Sequence, residues 1–455
     1  MRINAHTKAS ELARQLVRID TVNPPGSEAG AQRLVSSFLA ASGVPVGTYA
    51  QNSARPNLVA RLPGRGQRPS LILHGHVDVV GVDHQIWTHP PFEGEVRDGV
   101  LWGRGALDNK AGVAMLVHGF ARASRDGLVP SGDVILVSAS DSETGGSAGM
   151  AFLLQEHPDI FSGAGYAIGE FGGFTLTGFD QRLYAIGVGL KQYAHLQLRL
   201  TGKGGHGSRP SSGSVSAELG RVLDRIDSAR APLRLTDLST RVITSIADAL
   251  GRSADLPLLA LTDETTAPTA LASLGEFRPG FEAMLRDTAN PTLVRAGDKF
   301  NVIPSEATVE LDCRLTPGGR LEDFVDWVRS VVGPAVDTTV LASGPQAPAR
   351  FDESLMPVLE STLRDLDPEA TPVPISSAKA QTGACSTHTA SSTTDISRCL
   401  CRQKSACPTS STDLTNESPC RPSTSEPTPS TRSSAATDDR LRRAGPSWPH
   451  PSPSA

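Results

Sequence analysis

Residues 133–146, "DVILVSASDSETGG", are the stretch on which the fold turns. The apolar run from Val134 to Val137 passes through small residues and then presents Asp141, Ser142 and Glu143 just ahead of Gly145 and Gly146. A short continuous apolar run bounded by turn residues reads as a buried strand, here one that delivers carboxylates to a site at its end. A serine between the two acids is the feature that needs explaining.

The neighbouring segments repeat the texture of this strand. "NLVARLPG" and "SLILHGHVDVV" are further short β-rich runs, and "NKAGVAMLVHGFARASRDG" between them and the opening stretch is helical in pattern. Alternation of this kind predicts an α/β domain with a mostly parallel sheet. Upstream, Leu12, Leu16 and Val17 mark a helix over 9–19, which "TVNPPGSE" stops before another begins near Ala31. From about residue 187 the pattern changes. "GVGLKQYAHLQLRLTGKG" and "SEATVELDCRLTP" alternate like half-exposed strands around the helical "SVSAELGRVLDRIDSA", so 187–335 reads as an inserted α+β module. The first domain, residues 1–186, then resumes over 336–382 with "ESLMPVLESTLRDLDPEATPVPISS".

Composition limits the function classes. A chain of 455 residues has room for two cores, and 43 basic against 48 acidic residues gives no sign of a nucleic-acid or membrane partner. The N-terminus lacks the apolar core of a signal peptide, no run of about 18 apolar residues could span a bilayer, and a cytoplasmic location is the expectation. Residues 383–455, with text such as "SRCLCRQKSACPTSS", are rich in Ser, Thr, Pro, Arg and Cys without apolar periodicity, a composition that predicts a disordered tail. Only Cys313 of the six cysteines precedes that tail, which argues against a disulfide framework in the body.

Four turn or strand-end positions carry metal-binding side chains. His76, with Asp78 two residues on, puts an imidazole and an orienting carboxylate on one strand face. Asp108, in "LWGRGALDNKAG", either caps the following helix or bridges two cations. Glu143 and Glu170 each precede glycines that let backbone turn tightly. Imidazole and oxygen donors without thiolate suit a pair of zinc ions with room for water.

In order and spacing, "HGHVDVV", "HPPFEGEVRDGVLWGRGALDNKAG", "DSETGG", "GGHGSRP" and "NVIPSEATVELDCRLTPG" resemble the di-zinc metallopeptidase family of aminoacylase, carboxypeptidase S, acetylornithine deacetylase and succinyl-diaminopimelate desuccinylase, across roughly residues 10–382. The likeness is strongest to the aminoacylase and carboxypeptidase S branch. It implies a zinc-exopeptidase-like catalytic domain with an inserted dimerisation or lid domain, a homodimer, and hydrolysis of dipeptides or N-acyl amino acids. It further implies that His76 and Glu170 hold one zinc, that Asp108 bridges both and that Glu143 serves the other, with Asp78 behind His76. His206 would reach a partner subunit's active site and stabilise the oxyanion, unless it is only a loop histidine. Asn301 and Arg314 match substrate-binding positions, although Arg314 also stands where it could simply pair with Asp312.

Two departures from the family pattern stand out. The general-base glutamate expected at 142 is Ser142, which removes a proton shuttle worth about 100- to 10,000-fold. The histidine that completes the second zinc site has no counterpart in 383–455, so that site is incomplete, and a shift of reading frame near codon 383 would account for both the loss and the composition. An inactive remnant that binds ligand or dimerises without turnover is therefore the alternative to a working hydrolase.

Overall fold

The computed structural model describes residues 4–83, 85–170, 173, 175–176, 182–251, 257–347 and 354–377, and the expected disordered tail lies outside them. The five-stranded sheet that carries the site has the order Gly47–Tyr49, Asn57–Leu62, Val134–Ala139, Ser70–His76, Ala164–Ile168. Ser70–His76 runs parallel to both of its neighbours, while Asn57–Leu62 is antiparallel to each of its own.

The quoted strand is buried on both faces, as its unbroken apolar text requires. Leu136 faces a core built with the helices Ala9–Val17, Ala29–Ala41 and Lys110–Arg125, through Leu12, Leu16, Phe38 and Val117. Ile135 and Val137 face the opposite layer, where Phe152 and Leu153 of the helix Met150–Glu156 pack with Phe161. Register then does the work of assembly. His76 lies opposite Ala139, so these two parallel strands end level, while Ala164–Ile168 stops opposite Leu73 and the chain beyond it runs on toward the same edge, where the residues that follow the strands meet.

A second, four-stranded antiparallel sheet has the order Thr288–Ala296, Glu306–Leu315, Gln192–Thr201, Val336–Ser343. The alternation in its two central strands buries Leu196, Leu198, Val309 and Leu311 under the helices Val215–Ser228 and Leu321–Val332. A third core surrounds Leu183–Leu190, which pairs in parallel with Thr371–Ser377. The helices Asp237–Leu250, Ala267–Ser273 and Arg278–Leu285 join that core together with Met356, so this part of the 187–335 span packs with residues from both sides of it. No helix among the described residues is long and apolar enough to cross a membrane.

Candidate metal centre

His76, Asp108 and Glu170 converge, each offering one ligand atom, with all three atoms within 4.8 Å of one another. The Nε2 of His76 stands 2.7 Å from Glu170 Oε2 and 3.3 Å from Asp108 Oδ1. On the other side of the ring, Nδ1 lies 3.0 Å from the Asp78 carbonyl oxygen and 3.2 Å from its carboxylate. With Nδ1 engaged there, Nε2 is the nitrogen presented to the two acids. Two carboxylates of like charge held this close call for a cation between them, and an imidazole completes a donor set that suits a divalent ion of the zinc type.

Burial opposes charging His76, but Glu170, Asp108 and Asp78 outweigh it and hold its pKa well above the ordinary histidine range. Burial also works against an ionised Asp78, yet His76, the Asn23 amide and the Glu143 backbone N–H keep its pKa below the usual value. Asp78 thus does two jobs. It backs His76, and it accepts from the backbone N–H groups of Ser142 at 3.0 Å and Glu143 at 2.9 Å. The turn Ser142–Thr144 is thereby tied to the strand end that carries His76.

Glu143 stands beside the three-residue grouping, not within it. Its carboxyl is pushed up to about 7, chiefly by burial, with repulsion from Asp108, Asp78 and Glu170 adding to the effect and His76 opposing it. Ser142 and Glu143 are both half-buried, so a change of side chain at 142 leaves the Asp78 anchor, which is made by backbone, in place.

The remaining expected residues lie on the second sheet and its neighbouring ladder. His206 and Val302 are partners in a short antiparallel ladder, and Gly207 N–H donates to the Asn301 carbonyl at 2.8 Å, which brings His206 and Asn301 together on exposed backbone. The His206 ring contacts the Ser208 hydroxyl at 2.7 Å. Arg314 forms two parallel bonds to Asp312, Nε to Oδ1 and Nη2 to Oδ2, each 2.9 Å. Its ion-pair role is therefore present, and a substrate carboxylate would have to share the guanidinium.

Several residues that support the centre carried no metal-like signal in the sequence. Asn23, within what reads as the turn "TVNPPG", is buried against Asp78, Asp141 and Thr144. Lys110, next to the cis peptide between Asp108 and Asn109, is fully buried and donates to the Ile19 carbonyl at 2.6 Å. Arg55 bridges the buried Glu28 and Asp141 at 2.7 and 3.0 Å. Only the polar residues in "TVNPPGSE", beside a helix end, could have pointed to such a network.

A mixed sheet whose parallel strands gather an imidazole and carboxylates beyond their ends defines a metal-centre type of architecture. A family model described as Peptidase family M20/M25/M40 matches residues 72–403, and the chain belongs to that family. It is 28% identical over 278 residues to a probable carboxypeptidase S-like 2 of Dictyostelium discoideum, covering 58% of this chain and 51% of that one. A succinyl-diaminopimelate desuccinylase of Gluconacetobacter diazotrophicus is 28% identical over 353 residues, covering 75% of this chain and 76% of that one. The chain thus spans about half the length of the first relative. Among solved structures, an M20 family metallo-carboxypeptidase from Sulfolobus solfataricus superposes with a TM-score of 0.58 at 18% identity, covering 83% of this chain and 87% of that one, and shares the fold.

Proposed function

We propose that this chain is a metal-dependent hydrolase of amide bonds in dipeptides or N-acyl amino acids. The observation that carries the reading is the convergence of His76 Nε2, Asp108 and Glu170 with Asp78 behind the imidazole. When bound, zinc would supply Lewis acidity toward the amide carbonyl. His76 and Glu170 would hold one ion, Asp108 would lie between two, and Glu143 would serve the second. Asp78 fixes the tautomer and orientation of His76 and, through two backbone N–H groups, the position of Glu143.

In the same reading the four-stranded module is a lid and dimerisation element. His206 would act on a partner subunit's substrate, and Asn301 and Arg314 would bind substrate. The relatives named as a carboxypeptidase and a desuccinylase support amide-bond substrates that carry an amino-acid carboxylate.

The test is hydrolysis of a panel of dipeptides and N-acyl amino acids by the purified full chain, before and after metal stripping and zinc readdition. Activity that disappears on stripping and returns with zinc is the expected result, and hydrolysis indifferent to stripping overturns the proposal. Ser142 at the general-base position favours one second reading, a protein that binds metal and ligand with little turnover. Zinc uptake without hydrolysis of any panel member would single it out.

A further inference from the structure

The side-chain amide of Asn23 is 3% exposed and reaches three oxygens, Asp78 Oδ2 at 2.9 Å, Thr144 Oγ1 at 3.0 Å and Asp141 Oδ1 at 3.2 Å. Asp78 and Asp141 are themselves 0% and 1% exposed. An amide NH2 brings two hydrogens between them, whereas the reversed amide would press a third acceptor against two carboxylates, so the chemistry of the site sets its orientation.

Asp141 has the Arg55 guanidinium 3.0 Å away, and Asp78 has His76. Asn23 is the neutral group joining these two pairs. Its backbone is equally fixed, because Asn23 N–H donates to the Val79 carbonyl at 2.8 Å, Val79 N–H to Thr21 at 3.1 Å, and the Thr21 hydroxyl to Val77 at 2.6 Å. Three residues later Gly26, at φ 79°, leaves open the space where a β-carbon would lie 2.4 Å from the Arg55 guanidinium. The segment 21–26 therefore encloses a chain of contacts running Glu28, Arg55, Asp141, Asn23, Asp78, His76.

We propose that Asn23 is a positioning residue of the metal centre, holding the Asp78 carboxylate behind His76 and binding the strand end at 76–78 to the turn that carries Glu143. The inference rests on the metal-centre reading above. Losing the amide leaves two buried carboxylates short of a donor. Asp78 then turns away from His76, and metal affinity falls without any ligand being removed.

Zinc affinity of the full chain, measured by competition with a chromogenic chelator, reads this directly, with thermal melting of the metal-free protein beside it. Loss of a supporting partner costs metal affinity about 10- to 100-fold. Asp78→Ala should show that range, and Asn23→Ala about tenfold. If Asn23 acts through Asp78, the double variant binds no more weakly than Asp78→Ala alone. Asn23→Ser keeps one hydrogen on a shorter side chain that cannot serve both carboxylates, and it should lose affinity at least threefold even if the alanine variant does not fold.

Affinity within twofold of the parent in either Asn23 variant, with only the melting temperature lowered, overturns the proposal, as does simple additivity with Asp78→Ala. A parent chain that takes up no zinc would instead overturn the metal-centre reading, and this inference with it.

Discussion

Asp141 holds a left-handed backbone at φ 64°, a conformation that costs a non-glycine residue roughly 1–3 kcal/mol. Its carboxylate offsets that strain by accepting from Ala148 N–H at 2.8 Å and the Ser147 hydroxyl at 3.0 Å, in addition to the Arg55 pair. It shapes the turn and is spent on doing so. Burial works against its charge, but the bonds from Thr144, Ala148 and Asn23 win, and its pKa stays below the ordinary value. The serine between the acids is a different matter, because the contact to Asp78 is made by its backbone N–H. Ser142→Glu should raise zinc-dependent kcat by about 100-fold or more, with KM little altered. Equal kcat in the two forms would show that the missing shuttle is not what Ser142 represents.

At the scale of elements, the turn works only because the helix after it starts close by. A β-carbon on Gly149 would lie 1.8 Å from the Ser140 carbonyl oxygen, so the entry to the helix Met150–Glu156 presses against the end of the strand Val134–Ala139. Gly149→Ala forces strand end and helix apart. It should cost about 1–3 kcal/mol of stability in a denaturant titration and lower zinc affinity along with it, since Glu143 rides on the displaced turn. A variant with parental stability would show that the contact relaxes without strain. The strands could be read from the text as short apolar runs, and His76 and Glu143 stood out because each lies where such a run stops, whereas Asp108 lies in the turn before the helix Lys110–Arg125. Asn23, Arg55 and Lys110 could not be read so, since a buried polar side chain shows itself only through partners far along the chain. Asp141 meets Asn23 across 118 residues and Lys110 meets Ile19 across 91. The helices over 237–285 were missed for a related reason. Their apolar faces complete a core whose other members lie at 183–188 and 356–373, so no local boundary marks them.

For the molecule as a whole, the place where one sheet gives way to the next is a single residue. Lys191 separates the strand Leu183–Leu190 of the third core from Gln192–Thr201 of the four-stranded sheet, and the change of texture near 187 in the sequence reflects that passage. The side chain is 3% exposed and donates at 2.6 Å to the carbonyls of Ala283 and Arg286, at the C-terminal end of the helix Arg278–Leu285, where a cation is favoured. Burial nonetheless pushes its pKa down to about 8 from 10.5, with Asp287 opposing the fall and Arg314 assisting it. Between those two values the unfolded chain holds the proton more firmly than the folded one. Stability from this group must then rise as pH rises from about 8 to 10.5, and the cost of burying the charge is fully present below about 8. Lys191→Met removes the group while filling similar volume, and other titrations cancel in the difference between parent and variant. Denaturant titrations at pH 7.5 and above 10 should find the parent gaining on the variant by on the order of 3 kcal/mol across the window, from 1.36 kcal/mol per pKa unit. A difference that does not change with pH would mean that the two carbonyls hold the ammonium charged throughout, so that the junction between the cores is fastened by a permanent cation at a helix end.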